Sequence, residues 1–261
     1  PIIMQKLEYA ILGIIQGITE FLPISSSGHI LIGRYFFDIN HSGINIEVFL
    51  HTGTLLSIIL FWYKDILYEI NEIKNGKRFF IISLIIGTIP AGVIGLTFNS
   101  FIEDYFFNSS SLSFLSYNYL LLGVILFSSK FIKNNSNESI SYKNAFLIGI
   151  AQACAILPGL SRSGLTIVMA MYLGISFKSA TKFSFLLAIP ILVFATFDTM
   201  LSDYSNFYNN INSTQIIIGF ILSFVIGYLT LGLLQRIIKN QKLWYFSFYC
   251  LIIGLMLFYV V

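Results

Sequence analysis

Two short polar stretches interrupt otherwise apolar sequence, and they hold most of the residues able to do chemistry. The first runs from Gln16 and Glu20 through Pro23-Ile24-Ser25-Ser26-Ser27-Gly28 to His29. The second is Pro158-Gly159-Leu160-Ser161-Arg162-Ser163-Gly164, followed by Thr166. Gln16 and Glu20 are four residues apart, which sets them on one face of a helix. Both stretches end where a helix begins. A helix start offers unpaired N–H groups and the positive end of the dipole, so it draws anions. Serine hydroxyls add donors, glycine lets the backbone come close, and Arg162 brings a planar fork matched to phosphate oxygens. Facing each other, the two stretches would make one anion site. Ser25, Ser27, Gly28, Ser161, Ser163, Gly164 and Thr166 are its candidate binding residues. A carboxylate repels phosphate, so Glu20 reads either as the ligand of a bridging divalent cation or as a base. Hard divalent cations take oxygen ligands, commonly one or two carboxylates plus substrate phosphates. Gln16 could lend its carbonyl oxygen to the same ion.

Each residue also has a plainer reading. Ser25, Ser163 and Gly164 could simply allow close helix packing. Arg162 could reach toward an interface, and His29 could be a satisfied core histidine. Glu20 has no basic neighbour in sequence to pair with, which favours a functional role. His51 and Glu47 share a helix face and could line a cavity or sit at an interface; Arg34 and Asp38 fit a hairpin mouth. Trp62 and Trp244 read as interfacial anchors. Cys154 and Cys250 lie in apolar stretches and read as small buried side chains, with no disulfide or metal implied. There is no Walker-type phosphate loop, Rossmann fingerprint or zinc-ligand spacing.

The elements that must carry these residues are membrane helices. Of 261 residues, 56% are hydrophobic and 10% charged, against roughly 25% charged in a soluble domain. The mean hydropathy is +0.82. That balance argues against a soluble enzyme, a disordered chain and a nucleic-acid binder. A bilayer crossing needs ~20 mostly apolar residues. Six segments meet or approach that length: 48–64, 79–98, 116–133, 182–201, 215–235 and 244–261, the first being the shortest. Stretches 7–37 and 144–175 are longer and are cut by Pro23 and Pro158. Both are expected to be helix–break–helix hairpins, because proline disfavours helix before it and removes a donor. Non-helical backbone at membrane depth must be surrounded by protein or a watery cavity. The N-terminal apolar stretch carries Gln16 and Glu20 and lacks a basic leader, so it is expected to belong to the first hairpin and not to a cleaved signal.

Lys64, Lys74, Lys77 and Arg78 mark one loop, Lys130, Lys133 and Lys143 a second, and Arg236, Lys239 and Lys242 a third. The loops near 99–115 and 202–214 carry Glu103, Asp104 and Asp203 instead. The positive-inside rule makes the first three cytoplasmic and the other two external. The first hairpin then opens externally and the second, flanked by Lys143, Lys178 and Lys182, on the cytoplasmic side. The Asn/Ser run at 134–141 reads as a polar linker. Shifting the chain by about 136 residues puts Gly13 on Gly149, Gln16 on Gln152, Ser25 on Ser161, Ser27 on Ser163 and Gly28 on Gly164. Each half, about 1–135 and 136–261, holds one hairpin and three crossings, so the halves of this single membrane domain should be inverted.

The run Leu12-Gly13-Ile14-Ile15-Gln16-Gly17-Ile18-Thr19-Glu20-Phe21-Leu22-Pro23-Ile24-Ser25-Ser26-Ser27-Gly28-His29 closely resembles the first signature of the undecaprenyl-diphosphate phosphatases, the bacitracin-resistance family. Leu157-Pro158-Gly159-Leu160-Ser161-Arg162-Ser163-Gly164-Leu165-Thr166 resembles the second. Phe183-Ser184-Phe185-Leu186-Leu187-Ala188-Ile189-Pro190 and His51-Thr52-Gly53-Thr54 resemble two further shared blocks. The resemblance implies a multi-pass phosphatase of the bacterial inner membrane, with two re-entrant hairpins and a site facing the external side. It implies hydrolysis of undecaprenyl diphosphate to undecaprenyl phosphate and inorganic phosphate, which recycles the carrier for peptidoglycan. It further implies dependence on Mg²⁺ or Ca²⁺. Carried over by position, it makes Glu20, Ser26, His29 and Arg162 catalytic. Gln16 falls on the first of an acidic pair where the pattern allows Glu or Gln, leaving one carboxylate fewer for a metal. The implied partners are the lipid diphosphate and membrane lipids, with no nucleic acid; a homodimer is left open.

Two routes to cleavage follow. Ser26 could attack phosphorus while His29 or Glu20 takes its proton, or Glu20 or His29 could activate a water. The closeness of Ser26 and His29 in sequence favours the first. The rival is a lipid-phosphate or anion transporter, since inverted repeats with broken helices also build those. A transporter needs charged groups on the cytoplasmic route as well, where the sequence looks sparse.

Overall fold

A computed structural model describes residues 2–36, 44–102, 112–133, 135–202, 213–239 and 242–260. Among these residues every regular element is helical. The helices are α1 (Ile2–Thr19), α2 (Ser26–Phe36), α3 (Ile44–Phe61), α4 (Tyr63–Lys74), α5 (Phe79–Ile102) and α6 (Leu112–Ser128). They continue as α7 (Tyr142–Cys154), α8 (Arg162–Tyr172), α9 (Phe177–Ser202), α10 (Ser213–Lys239) and α11 (Phe246–Val260).

Among the described residues five helical stretches are long and apolar enough to cross a bilayer: Phe79–Phe98, Leu112–Phe131, Phe177–Phe197, Thr214–Ile238 and Leu243–Val260. The chain is a multi-pass membrane protein. The sixth expected crossing, 48–64, falls on α3, whose apolar part Phe49–Phe61 is shorter. Its end has a local cause. The chain turns at Trp62, and α4 opens with Lys64 and Asp65.

Both proline-cut stretches form two helices around a break. α1 stops at Thr19 and α2 starts at Ser26; α7 stops at Cys154 and α8 starts at Arg162. Pro23 and Pro158 lie within the breaks. Pro90 and Pro190, in contrast, lie inside α5 and α9. A membrane helix tolerates such prolines when neighbours satisfy the freed groups.

Helix α1 lies along α10, and α7 lies along α5. α3 packs on α9 and α10, while α6 packs on α11. Lipid offers no hydrophobic drive between helices, so close packing and interhelical hydrogen bonds hold them together. Ser57 Oγ donates to the Phe224 carbonyl at 2.7 Å and Ser116 Oγ to the Gly254 carbonyl at 2.9 Å. The core gathers under the first break, where fully buried Phe21 meets Phe185 edge-on with ring centroids 5.7 Å apart.

Two expectations are corrected, for Trp62 and Cys154, while that for Cys250 holds. Trp62 is only 8% exposed and belongs to the core, because α3 turns inward there before α4. Cys154 is exposed, at the end of α7 where the break begins. Cys250 is buried, but its thiol also donates to the Pro23 carbonyl at 3.7 Å. Residues 103–111 and 203–212, with Glu103, Asp104 and Asp203, lie outside the described residues, as does Asp38. So do the side chains of Glu47 and Lys239.

Candidate active site

In the first break the backbone is wound tightly. Glu20 N–H donates to the Gln16 carbonyl at 2.9 Å, which completes the last turn of α1 and aims the carboxylate off its end. Ile24 N–H reaches back to the Leu22 carbonyl at 2.7 Å, a three-residue turn around Pro23. Ser25 has φ of 67°, in the left-handed region that non-glycine residues seldom adopt. Its surroundings over-determine that strain. Ser25 Oγ accepts from Gly28 N–H at 3.3 Å and from Gly159 N–H, across in the second break, at 3.1 Å. Its carbonyl accepts from His29 N–H at 3.3 Å.

The second break is capped in the same manner. Ser161 Oγ accepts from Gly164 N–H at 3.2 Å, and Ser161 and Ser163 hydroxyls lie 3.1 Å apart. Gly159 has φ of 90°, and a Cβ there would stand 2.8 Å from Asn118 Cβ, so only glycine fits. The unwound Pro158 carbonyl accepts from Asn118 Nδ2 at 2.7 Å. Helix α6 thus braces the second break through Asn118. It braces the first through Tyr119, whose hydroxyl meets the Ser25 carbonyl at 3.5 Å.

Where the breaks touch, their functional side chains converge on Glu20, which is 7% exposed. Its Oε1 accepts from Arg162 Nη2 at 2.5 Å. Its Oε2 accepts from Ser26 Oγ at 2.7 Å and Gln16 Nε2 at 3.0 Å. His51 Nε2, on α3, lies 3.6 Å from the same oxygen. The partner that Glu20 lacked in the local sequence is supplied from 142 residues away. Glu20, Ser26, Ser27, His51, Gln152, Ser161 and Arg162 line a cavity of about 480 Å³. Leu96 on α5 and Ile191, Leu192 and Phe194 on α9 complete it as an apolar wall.

Of the expected site residues, Glu20, Ser26, Ser27, Ser161 and Arg162 meet at this cavity. Gln16 does not line it; fully buried, it orients Glu20 from behind. Ser25 and Gly28 sit in the backbone lock of the first break, where a Cβ on Gly28 would come within 2.6 Å of the Tyr119 hydroxyl. Ser163 donates to the Leu22 carbonyl at 3.4 Å, Gly164 packs on Pro23, and Thr166 binds the Arg162 carbonyl at 2.7 Å and the Ser184 hydroxyl at 2.6 Å. His29 is turned elsewhere. Its Nδ1 is 2.7 Å from the Ser25 carbonyl and its Nε2 is 2.7 Å from the Tyr249 hydroxyl. A carbonyl only accepts, so Nδ1 carries the proton and Nε2 accepts from Tyr249. His29 lines a separate apolar groove with Tyr249 and Ile18.

Two residues gain weight from the structure. His51 was one of several cavity candidates, and only its approach to Glu20 singles it out. Gln152 was visible as the repeat match of Gln16 without a stated role. A second cavity, about 640 Å³, lies at the other end of α3 and α9. Asp65, Glu69, Glu138, Lys178 and Lys182 line it, and Lys182 pairs with Asp65 at 2.8 Å and Glu69 at 3.3 Å. That end of the molecule is therefore richer in charge than its sequence suggested, because residues from α4, α9 and the 135–141 linker are pooled there.

The arrangement offers a hydroxyl hydrogen-bonded to a carboxylate, the geometry of a nucleophile beside its base. Arg162 is 16% exposed and gives Nη2 to Glu20, while Nη1 has no hydrogen-bond partner among the described residues. One edge of the fork is thus buried without a protein acceptor among the described residues. For a metal the donor set is small. Among the described residues no three His, Cys, Asp or Glu side chains come together. Glu20 supplies one carboxylate, and Gln16 Oε1 is a buried acceptor without a partner there. Such a set fits a hard cation that takes most of its ligands from substrate phosphate and water.

The bacitracin resistance protein BacA family matches residues 9–256. The chain is 38% identical over 256 residues to undecaprenyl-diphosphatase 4 of Bacillus thuringiensis subsp. konkukian, covering 97% of this chain and 96% of that protein. It is 36% identical to undecaprenyl-diphosphatase of Halothermothrix orenii, covering 97% of each. Undecaprenyl-diphosphatase 1 of Bacillus cereus (strain ATCC 14579) is 35% identical over 265 residues, covering 96% of each.

Proposed function

Because the chain belongs to the bacitracin resistance protein BacA family, we propose that it hydrolyses undecaprenyl diphosphate to undecaprenyl phosphate and inorganic phosphate. In that role it returns the lipid carrier to peptidoglycan synthesis in the bacterial inner membrane. The observation that carries the reading is the Arg162–Glu20–Ser26 chain of hydrogen bonds, closed between two broken helices in one cavity of a membrane protein.

The diphosphate enters between the breaks with its first isoprene units against Leu96, Ile191 and Phe194. Arg162 Nη1 and the starts of α2 and α8 take up its charge, the interactions that matter most as charge redistributes in the transition state. Ser26 Oγ attacks the terminal phosphorus. Its proton passes to Glu20 Oε2, the bridging P–O bond breaks, and undecaprenyl phosphate leaves. Water then attacks the phosphoserine, the P–Oγ bond breaks, inorganic phosphate departs and Ser26 regains a proton. Gln16 keeps Glu20 pointed at Ser26. Glu20, with Gln16 Oε1 behind it, would supply the protein oxygens for a Mg²⁺ or Ca²⁺ ion, which would neutralise charge on the diphosphate. His29 acts outside this proton path, locking the first break through Ser25. Direct attack by a Glu20-activated water is the competing route, and acid trapping of labelled phosphate on the protein separates the two: a labelled serine supports the first, a blank from active enzyme the second.

We further propose that the halves about 1–135 and 136–261 are inverted copies, with α3 as a sixth crossing, both hairpins re-entrant and the site open to the external side. The like capping of the two breaks supports this, as does the pairing of α1 with α10 and α7 with α5. Labelling of single cysteines in loops 75–78 and 203–212 from either side of sealed vesicles tests the orientation.

The test of activity is phosphate release from farnesyl and undecaprenyl diphosphates in detergent, with and without EDTA. Release that EDTA abolishes and Mg²⁺ or Ca²⁺ restores is expected. No release from folded protein overturns the phosphatase reading and favours a lipid-phosphate carrier. The carrier reading has one observation of its own, the charged second cavity at the opposite end of α3 and α9.

A further inference from the structure

Gln152 sits in the last turn of α7 and lines the same cavity as Arg162 and Ser26. It is 2% exposed, and neither Nε2 nor Oε1 has a hydrogen-bond partner among the described residues. A buried polar group without a partner costs about 1–3 kcal/mol, so a carboxamide left with two such atoms calls for an explanation. The sequence supplies one. Gln16 holds the same place in the last turn of α1, and four residues on, Glu20 receives its Nε2–H. Four residues after Gln152 stands Ile156, which also lines the cavity and accepts nothing. The internal acceptor is missing in one break only, and the residue with the unused donor lines the same cavity as Arg162, whose Nη1 is also buried and unpartnered among the described residues.

We propose that Gln152 is a substrate-contacting residue, whose Nε2–H donates to a non-bridging oxygen of the diphosphate while Arg162 Nη1 takes another. The inference rests on the phosphatase reading and deepens it. A neutral donor suits this wall. It recognises phosphate oxygen without adding a second fixed cation that would hold the phosphate product after cleavage.

The full-length protein in detergent gives the test, with wild type, Gln152→Leu and Gln152→Glu compared on farnesyl diphosphate. Hydrogen bonds to charged groups contribute about 1.5–3 kcal/mol, so Gln152→Leu should lower kcat/KM about 10- to 100-fold and weaken inhibition by inorganic phosphate in parallel. The leucine variant should melt no lower than wild type, because an apolar isostere removes the unmet polar atoms. Gln152→Glu should lose activity at neutral pH, since a second carboxylate would face the anion. Unchanged kcat/KM and phosphate inhibition in Gln152→Leu would overturn the proposal. So would a Gln152→Glu variant that gains metal-dependent rate, which would make this side chain a cation ligand. If wild type releases no phosphate, the phosphatase reading fails alone, and Gln152 is then judged by equilibrium binding of inorganic diphosphate. Weaker binding by Gln152→Leu than by wild type sustains the contact; equal binding, or none by wild type, removes it.

Discussion

The two broken helices share a scaffold and divide the chemistry. Ser25 and Ser161 each accept from the N–H three residues on, and each has a second serine hydroxyl within 3.4 Å. Two of the positions that differ face the cavity on both sides. Glu20 stands where the second break has Ile156, and Ser26 stands where it has Arg162. One break therefore brings the proposed nucleophile and its proposed base, and the other brings the cation. The shared serines cap both helices, while at these two positions the breaks diverge in charge. Backbone strain is also unequal. Ser25 lies at φ 67°, whereas Ser161 has an ordinary extended φ of −93°. The two breaks hold each other through Gly159 N–H to Ser25 Oγ and Ser163 Oγ to the Leu22 carbonyl.

That division can be broken in graded steps. The largest effect is expected from Ser26→Ala, which leaves the scaffold intact and removes the proposed nucleophile. Its kcat should fall at least ~1,000-fold, about 4 kcal/mol of barrier, with the melting temperature within a few degrees of wild type. Glu20→Gln should match it in rate loss and also cost stability, because breaking a buried pair leaves Arg162 uncompensated at about 3–5 kcal/mol. A thermal melt beside the kinetics reads both. Next comes Ile156→Glu, which copies the first break's carboxylate into the second. It gives Gln152 an internal acceptor and places a negative charge on the cavity wall, so KM for the diphosphate should rise roughly ten-fold or more, by analogy with the 1.5–3 kcal/mol of a charged hydrogen bond lost. The smallest effect is expected from Ser161→Ala. Losing one N-cap costs about 1 kcal/mol of stability, seen as a small drop in melting temperature, with a fall in kcat/KM well short of that in Gln152→Leu. Ser25→Ala should cost more than Ser161→Ala, since Ser25 Oγ serves two N–H groups and not one. Equal losses would show that the asymmetry between the breaks has no energetic weight.

The two breaks and the residues that meet in them were legible in the sequence, because proline, serine and glycine stand out against apolar helix and the offset of about 136 residues aligns them. The partition of those residues was not. Ser26 and His29 are one turn apart on α2, yet Ser26 turns to Glu20 and His29 to Tyr249 on α11. Sequence spacing fixes faces within one helix and says nothing of which distant helix each face meets. The same blindness hid the bracing of both breaks by neighbouring residues of α6, Asn118 and Tyr119. It also hid the place of His51 beside Glu20. The burial of Trp62 was missed for another reason. An aromatic at the end of an apolar run reads as an anchor unless the chain turns inward, and the turn follows from the helix after it.

The split use of Arg162 has a further consequence. The guanidinium spends one edge on its own carboxylate, and its other amino group has no partner among the described residues. An empty protein thus carries a charge-balanced centre and needs no borrowed counter-ion to persist in a medium of low polarity. An arriving lipid meets half a binding hand, strong enough to orient it and weak enough to release it. On the proposed mechanism Glu20 is a resident rival for Arg162, so a mutant that frees the whole fork should grip its product longer than the native protein does.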